Sequence, residues 1–196
     1  DIPGEKPGII PSHDWKVATH GVVWTPGETV VAAIGQGYVL TTPLQLALMT
    51  ARIANGKYAV ESSLLARNGL VEFAPLDIPE GPLRIVRKGM SEVMHGSRGT
   101  ARKYNLGQEF GGMSGKTGTV QVKRITKEQR EAGIIDNIDR PWKERDHALF
   151  VAYAPVKNPR YAISVVVEHG GSGSSMAAPI AQKILAKIIS SDRNMA

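Results

Sequence analysis

The stretch that decides the fold is Met113-Ser-Gly-Lys-Thr-Gly-Thr-Val-Gln-Val122. Its second half alternates between polar and apolar residues, and this period of two predicts a β-strand over Gly115–Val122. Thr117 and Thr119 lie two residues apart, so a strand places both hydroxyls on one face. Strict alternation puts Lys116 on the opposite face, so we expect its long side chain, or strand twist, to bring the ammonium group round.

A phosphate-binding loop is one alternative for this segment, because it contains Gly115-Lys116-Thr117. That loop needs four residues between its first glycine and the Gly-Lys pair, which would require a glycine where Phe110 stands. It must also open a helix, whereas this segment alternates like a strand. We therefore interpret the segment as Lys-Thr-Gly on a strand, which resembles the third motif of the penicillin-binding transpeptidases and serine β-lactamases.

The residue types of this motif suit a peptide substrate that carries a carboxylate. Lys116 supplies a fixed cation that favours such a substrate and biases nearby proton transfers. Gly118 has no side chain, so a substrate backbone can lie against the strand as an added β-strand. The backbone N–H of Thr119 is the candidate oxyanion-hole donor, which makes Lys116 and Thr119 the candidate catalytic residues. The candidate substrate-binding residues are Ser114, Gly115, Thr117, Gly118 and Thr119.

Two helices are predicted before this strand. The first covers residues 42–55, where Thr42-Pro-Leu-Gln45 combines an N-cap, a first-turn proline and a capping box. The second covers residues 82–95, where Gly89 lowers helix propensity and suggests a close packing contact. Residues 1–40 are rich in proline and glycine and are predicted to form a loop-rich cover.

Two apolar runs after the motif predict central strands of an antiparallel sheet. They are His147–Ala154 and Tyr161–Glu168, joined by a short hairpin, so the three sheet strands fall within residues 115–169. A C-terminal helix is predicted over residues 176–190, with apolar residues at helical spacing. Helices followed by an antiparallel sheet and a covering helix indicate an α+β fold.

The composition excludes several classes of protein. Of 196 residues, 42% are hydrophobic and 21% are charged, as in a globular domain rather than a disordered chain. Cysteine is absent, which removes disulfides, thiolate metal sites and a cysteine nucleophile. The longest apolar run, Ala148–Ala154, is far shorter than the roughly 18 residues of a membrane span. The net charge of +6 comes from scattered lysines and arginines, so nucleic-acid binding is not expected, and no metal or cofactor site is predicted.

Segments along nearly the whole chain, in the same order, resemble the class B penicillin-binding proteins. Besides residues 114–122, they are Ile34-Gly-Gln-Gly-Tyr38, Thr42-Pro-Leu-Gln-Leu-Ala47, Gly99-Thr-Ala101, Asp146-His-Ala-Leu-Phe-Val-Ala-Tyr-Ala-Pro155 and Val167-Glu-His-Gly-Gly-Ser-Gly173. Within that family the pattern is similar to the elongation-specific peptidoglycan D,D-transpeptidases. The resemblance implies the serine β-lactamase and penicillin-binding-protein transpeptidase fold, incomplete in this chain.

The same resemblance implies serine acyl transfer. In the family, a serine attacks the D-Ala-D-Ala bond of a peptidoglycan stem peptide, the acyl group passes to an amine of a neighbouring strand, and β-lactams trap the acyl-enzyme. The family also uses Ser-x-x-Lys and Ser-x-Asn motifs, and neither occurs in this sequence. We therefore expect the chain, which starts at Asp1, to be the C-terminal half of a transpeptidase domain that is inactive without the upstream nucleophile.

Partners and localisation follow from the resemblance as expectations. They are stem peptides, β-lactams, the elongation machinery and an upstream membrane anchor, at the periplasmic face of the bacterial inner membrane. Two alternatives stay open: a non-catalytic binding or assembly module, for which unpaired strand edges favour a homodimer, and a β-lactam sensor relative. His147 and His169 are interpreted as structural rather than metal-binding, and Thr100 and Arg102 as residues that help shape the site.

Overall fold

Three antiparallel strands in the order β1-β2-β3 form the sheet of this computed structural model. The structure describes residues 3–65, 71–123, 126–131, 133 and 135–195. The strands are β1 (Ser114–Val120), β2 (His147–Ala154) and β3 (Tyr161–Val167). Lys116 pairs with Val151, and Val151 pairs in turn with Ser164. Helices pack on this sheet, which confirms the α+β class.

Six α-helices lie within the described ranges. They are α1 (His13–His20), α2 (Pro26–Ala33), α3 (Pro43–Asn55), α4 (Glu80–His95), α5 (Lys127–Glu131) and α6 (Ala178–Met195). A single π-helical turn, Gly173–Ala177, leads directly into α6. None of the helices in these ranges combines the length and the apolar character that crossing a membrane requires.

Side chains of β2 alternate between two hydrophobic clusters, one on each face of the sheet. Phe150 is fully buried and packs in the cluster that contains Leu185 of α6. Val151 and Tyr153 belong to the other cluster, which includes Met90 of α4 and is flanked by apolar residues of α3. Because both faces of β2 are covered, the strand reads as a continuous apolar run in the sequence.

Helix α3 occupies the range predicted for it and ends as predicted. The Thr42 hydroxyl accepts the Gln45 backbone N–H at 3.1 Å, and the Gln45 side chain accepts the Thr42 N–H at 2.9 Å. Gly56 closes the helix in the left-handed conformation, with φ 64°. All of these signals are local in sequence, which is why the pattern defines both ends.

The prediction of a loop-rich cover over residues 1–40 is wrong in part, because α1 and α2 lie inside it. The segment Thr25-Pro-Gly-Glu28, part of the proline- and glycine-rich range, forms the capping box that starts α2. Lys16 of α1 is buried and pairs with Glu28 at 2.6 Å, which fastens the two helices together. Eight-residue helices are too short to show a convincing apolar stripe.

Other boundaries shift by a few residues. Strand β1 begins and ends earlier than the predicted range 115–122, and β3 ends at Val167 rather than Glu168. Helix α4 begins at Glu80 instead of Pro82, and α6 extends beyond residue 190. The contact predicted at Gly89 is also wrong, since no atom lies within 4 Å of the position a Cβ would take there.

Candidate active site

One edge of β1 is free of strand partners in the described part of the chain, because β1 pairs only with β2. The N–H of Arg160 donates to the Ala154 carbonyl at 3.1 Å, so even-numbered residues of β2 direct their backbone groups to β3. Odd-numbered residues of β2 therefore face β1, where Leu149 pairs with Gly118. It follows that Thr117 and Thr119, which lie opposite the even-numbered Phe150 and Ala148, direct their N–H and C=O groups to the free edge.

Lys116 brings its ammonium group to this edge. Its side chain is exposed, and Nζ donates to the backbone carbonyl of Thr117 at 2.5 Å. The side chain therefore bends around the strand from the face opposite the threonines, as the alternation requires. The ammonium group and the backbone groups of Thr117 consequently lie together at the free edge.

The hydroxyl of Thr117 is fixed by a residue from another segment. Thr100 Oγ1 and Thr117 Oγ1 share a hydrogen bond of 3.1 Å. The segment 99–101 is held against the end of α4, because Ala101 N–H donates to Val93 O at 3.2 Å and a Cβ at residue 99 would meet that carbonyl at 2.5 Å. The structure therefore brings Thr100 to the motif, whereas Arg102 lies exposed on the 3-10 turn that follows.

Gly118 forms part of the tightly packed floor under the edge. Gly173, at the start of the π-helical turn, lies against it so closely that a Cβ at residue 173 would meet the Gly118 carbonyl oxygen at 2.4 Å and the Leu149 carbonyl oxygen at 2.2 Å. The Ser172 and Ser174 hydroxyls, on either side of this glycine, are 2.9 Å apart. The segment after β3 is thus pressed onto the motif strand by a glycine that tolerates no side chain.

Thr119 is exposed, and its carbonyl accepts a hydrogen bond from a residue that sequence analysis did not single out. Gln36 Nε2 donates to Thr119 O at 2.9 Å. Gly35 and Gly37 flank this glutamine with positive φ angles of 75° and 73°. The sequence analysis includes Gln36 in the segment Ile34–Tyr38 that resembles the family, but a polar residue between two glycines is typical of many turns and assigns no role to its side chain.

Ser114 and Gly115, two of the five candidate substrate-binding residues, are buried at the start of β1. Ser114 is fully buried, and its hydroxyl has no hydrogen-bond partner among the described residues. A Cβ at Gly115 would meet the Phe150 ring at 2.6 Å. The exposed and half-exposed part of the motif accordingly runs from Lys116 to Thr119.

A polar cluster behind the site contains both histidines that the sequence analysis considered. The His169 backbone N–H donates to His147 Nδ1 at 2.9 Å, and His169 Nδ1 lies 3.0 Å from the Arg145 carbonyl. Asp146 is buried and accepts from the Asn137 side chain at 2.6 Å. These bonds tie the end of β3 to the start of β2. No group of three or more metal-ligating side chains that could hold an ion occurs in the described ranges.

The arrangement offers a peptide ligand a strand edge whose two carbonyl oxygens, those of Thr117 and Thr119, already accept from Lys116 and Gln36. Thr117 and Thr119 supply backbone donors and acceptors in line, Lys116 supplies a positive charge, and Thr117 supplies a hydroxyl beside that charge. Thr119 is exposed, and its N–H is directed to the same edge, where it can donate to a bound carbonyl. The edge can therefore bind, orient and polarise an extended substrate.

Comparison with known proteins assigns a family to this geometry. Residues 1–186 match the model of the penicillin binding protein transpeptidase domain. The peptidoglycan D,D-transpeptidase MrdA of Acinetobacter baumannii is 36% identical over 195 residues, which cover 92% of this chain and 28% of the relative. MrdA of Escherichia coli is 31% identical over 206 residues, covering 99% of this chain and 31% of the relative.

Solved structures agree in fold. A crystal structure of Pseudomonas aeruginosa PBP2 in complex with WCK 5153 is 40% identical, with a TM-score of 0.74, over 95% of this chain and 39% of that one. The complex between PBP2 and MreC from Helicobacter pylori gives 32% identity and a TM-score of 0.78 over 95% of this chain and 32% of that one. The chain thus spans less than half the length of each of these relatives.

Proposed function

The chain belongs to the penicillin-binding protein transpeptidase family, and from that premise we propose that it is the C-terminal part of a peptidoglycan D,D-transpeptidase domain. The observation that carries this proposal is the free edge of β1. There Lys116 places its ammonium group, and Thr117 and Thr119 direct their backbone N–H and C=O groups outward. An extended stem peptide, or a β-lactam that mimics its end, adds to this edge as a short β-strand. The serine that forms the acyl-enzyme lies outside this sequence.

Lys116 and Thr117 bind the carboxylate of the ligand in this proposal. The ammonium group is exposed and its partner is a neutral carbonyl, so a carboxylate gains a charge-assisted hydrogen bond by replacing that contact. The Thr117 hydroxyl adds a second donor and, because it has a single hydrogen, accepts from the Thr100 hydroxyl behind it. Both groups orient the ligand with its scissile carbonyl toward Thr119.

Thr119 contributes the chemistry assigned to this half of the domain. Its backbone N–H stabilises the negative charge that develops on the scissile carbonyl oxygen when a serine attacks. Lys116 raises the local positive potential, which favours the same charge and the transfer of nearby protons. Ser114 and Gly115 are buried, so we assign them to the packing of the strand rather than to contact with the ligand.

Partners and location are proposed from the relatives. One relative is described in complex with WCK 5153 and another in complex with MreC. We extend this to the proposal that the whole protein binds β-lactams and works with the elongation machinery. The curated relatives are peptidoglycan D,D-transpeptidases, which supports a location at the periplasmic face of the inner membrane. Cell-wall elongation is the process in which we place the whole protein.

A labelled penicillin tests this function. The whole protein that carries this chain is expected to form a covalent adduct, and peptide mass spectrometry should locate it on a serine outside these 196 residues. The 196-residue chain alone is expected to form none. An adduct on any residue of this chain would refute the assignment of the nucleophile, and a whole protein that forms no adduct would refute the function.

The outer edge of β3 favours a second candidate, a binding or assembly module. No strand among the described residues pairs with this edge, and the strand is apolar and only half-buried. Such an edge can pair with a second copy of the chain. The two candidates differ in acylation, because the free edge of β3 permits self-association in both cases. A transpeptidase part restores acylation when its complementary segment is supplied, whereas an assembly module restores none.

A further inference from the structure

Gln36 reaches the free edge of β1 from 83 residues away in the sequence. Its side-chain amide donates to the Thr119 carbonyl at 2.9 Å. Gln36 is half-buried and Thr119 is exposed, so the bond lies at the surface from which a ligand approaches. The acceptor that an added strand needs is therefore already occupied by a donor from the chain itself.

The loop that carries Gln36 presents its side chain from a defined position. At the end of α2, the N–H of Gln36 donates to Val31 O at 3.1 Å and that of Gly35 donates to Ala32 O at 2.9 Å. The positive φ angles on both sides of Gln36 are readily adopted by glycine alone. A Cβ at residue 37 would also approach Val31 Cγ1 to 3.1 Å. The backbone conformation of residues 35–37 thus fixes the position from which the Gln36 carboxamide reaches Thr119.

The carboxamide N–H of Gln36 has the same donor chemistry as a peptide N–H. A strand added to β1 donates its own peptide N–H to the Thr119 carbonyl, in the direction of the free edge. Gln36, which belongs to the loop after α2 rather than to the sheet, already donates to that carbonyl. A carbonyl oxygen has two lone pairs, so the ligand N–H and the Gln36 carboxamide compete for the lone pair that faces the free edge.

We propose that Gln36 is a specificity-determining gate on the motif strand: it occupies the Thr119 carbonyl in the unliganded protein and is displaced by ligands that donate an amide N–H there. This inference rests on the proposed function, because it needs ligands to bind at the β1 edge. Ligands with an amide donor must displace Gln36, and ligands without one need not. Loss of one neutral hydrogen bond corresponds to about a two- to tenfold change in apparent affinity.

The test uses the whole protein with Gln36→Met, which is nearly isosteric with glutamine but donates no hydrogen bond, and with Gln36→Ala. Gln121→Met, at an exposed position just after β1, is the matched control. Acylation by a fluorescent penicillin with an acylamino side chain is followed over a range of concentrations. Acylation by a carbapenem, which has a hydroxyethyl group in place of the acylamino group, is measured by competition.

Both Gln36 variants are expected to acylate with the penicillin about two- to tenfold more efficiently, through tighter initial binding and an unchanged maximal rate. Their efficiency with the carbapenem, and both efficiencies of Gln121→Met, should equal those of the wild type. An unchanged or lower efficiency with the penicillin overturns the gate, as does an equal gain with both ligands. If the wild type is not acylated at all, the proposed function fails as well, so the two failures are distinguishable.

Discussion

At the scale of single residues, the exposed ammonium group of Lys116 is the positive charge at the β1 edge that is available to a ligand. Its ammonium group contacts a neutral carbonyl, and none of the ion pairs in the described ranges includes it. A carbonyl oxygen neutralises only part of a positive charge, so the group retains most of its attraction for a carboxylate. The Lys116 ammonium group therefore lies at the edge without an ion-pair partner among the described residues.

Replacing Lys116 should reduce acylation of the whole protein strongly. We expect Lys116→Ala to lower the second-order rate constant for penicillin by about 10²-fold, because both the carboxylate partner and the local positive potential are lost. Lys116→Arg should retain part of the rate. Lys123→Ala is the control, since Lys123 pairs with Glu144 at 2.8 Å beyond the strand end. A Lys116→Ala protein as fast as this control would show that the charge has no role.

Local pattern predicted which face of β1 each motif residue occupies, but not which edge is free. The face of Thr117 follows from a period of two in the strand itself. The outward direction of its backbone groups depends on the pairing of β1 with β2, and a slip of one residue would reverse it. Gln36 was missed for a related reason: its contact with Thr119 is made by the tertiary fold, which no local spacing encodes.

At the scale of elements, helices with strong local signals were predicted and short ones were not. Helix α3 has 13 residues with a cap, a first-turn proline and an apolar stripe on one face, and all three features are visible in the sequence. Helices α1 and α2 have eight residues each and owe their stability to tertiary contacts such as the Lys16–Glu28 pair. That pair joins two segments whose helical state could not be inferred separately.

The Lys16–Glu28 pair should make the α1–α2 unit sensitive to acid. The hydrogen bond from the Lys16 ammonium group, with that from the Thr25 N–H, lowers the pKa of Glu28 from 4.5 to about 2. Because the folded pKa is depressed, the stabilisation is present above pH 4.5 and is lost as the pH falls toward 2. Fluorescence of Trp24, which donates to Thr29 on α2, should report the transition.

Lys16→Met is expected to remove this acid transition from the α1–α2 unit, while Lys123→Met, which breaks a half-exposed pair, should leave it in place. A wild-type Trp24 signal that stays flat from pH 6 to pH 2 would contradict the assigned role of the pair.

Two glycine substitutions separate tight packing from helix propensity. Gly173→Ala should destabilise the chain by about 3 kcal/mol or more in urea unfolding, because its Cβ would meet two backbone carbonyl oxygens at 2.2 and 2.4 Å. Gly89→Ala, in the exposed interior of α4 with nothing within 4 Å, should stabilise it by about 0.5–1 kcal/mol. Equal changes in the free energy of unfolding for the two substitutions would refute the close packing of Gly173 against β1.

At the scale of the whole molecule, the sheet has two covered faces and two free edges within the described chain. The edge of β1 is the proposed ligand edge, whereas the edge of β3 is apolar and has no polar motif. The absence of the Ser-x-x-Lys and Ser-x-Asn motifs predicted that the sequence holds only part of a catalytic domain. The sequence did not predict that β3 lies at the other edge of the sheet, because strand order is set only when the sheet assembles.

The free edge of β3 should make the isolated chain self-associate. Sedimentation or light scattering is expected to give a mass that rises with concentration from 21.1 kDa toward twice that value. Ala162→Lys, which places a charge on the edge strand, should shift the equilibrium to the monomer. Ala18→Lys, the same substitution at an exposed position of α1, is the matched control. A chain that remains monomeric at all concentrations would refute pairing through this edge.

A crystal structure of the whole protein acylated by an acylamino penicillin would show whether the free edge of β1 is the ligand-binding wall. We predict the ligand carboxylate at Lys116 and Thr117, its acyl carbonyl oxygen on the Thr119 N–H, and its amide N–H on the Thr119 carbonyl in place of Gln36. A ligand bound covalently with the β1 edge left empty, and with Gln36 still on Thr119, would contradict the account.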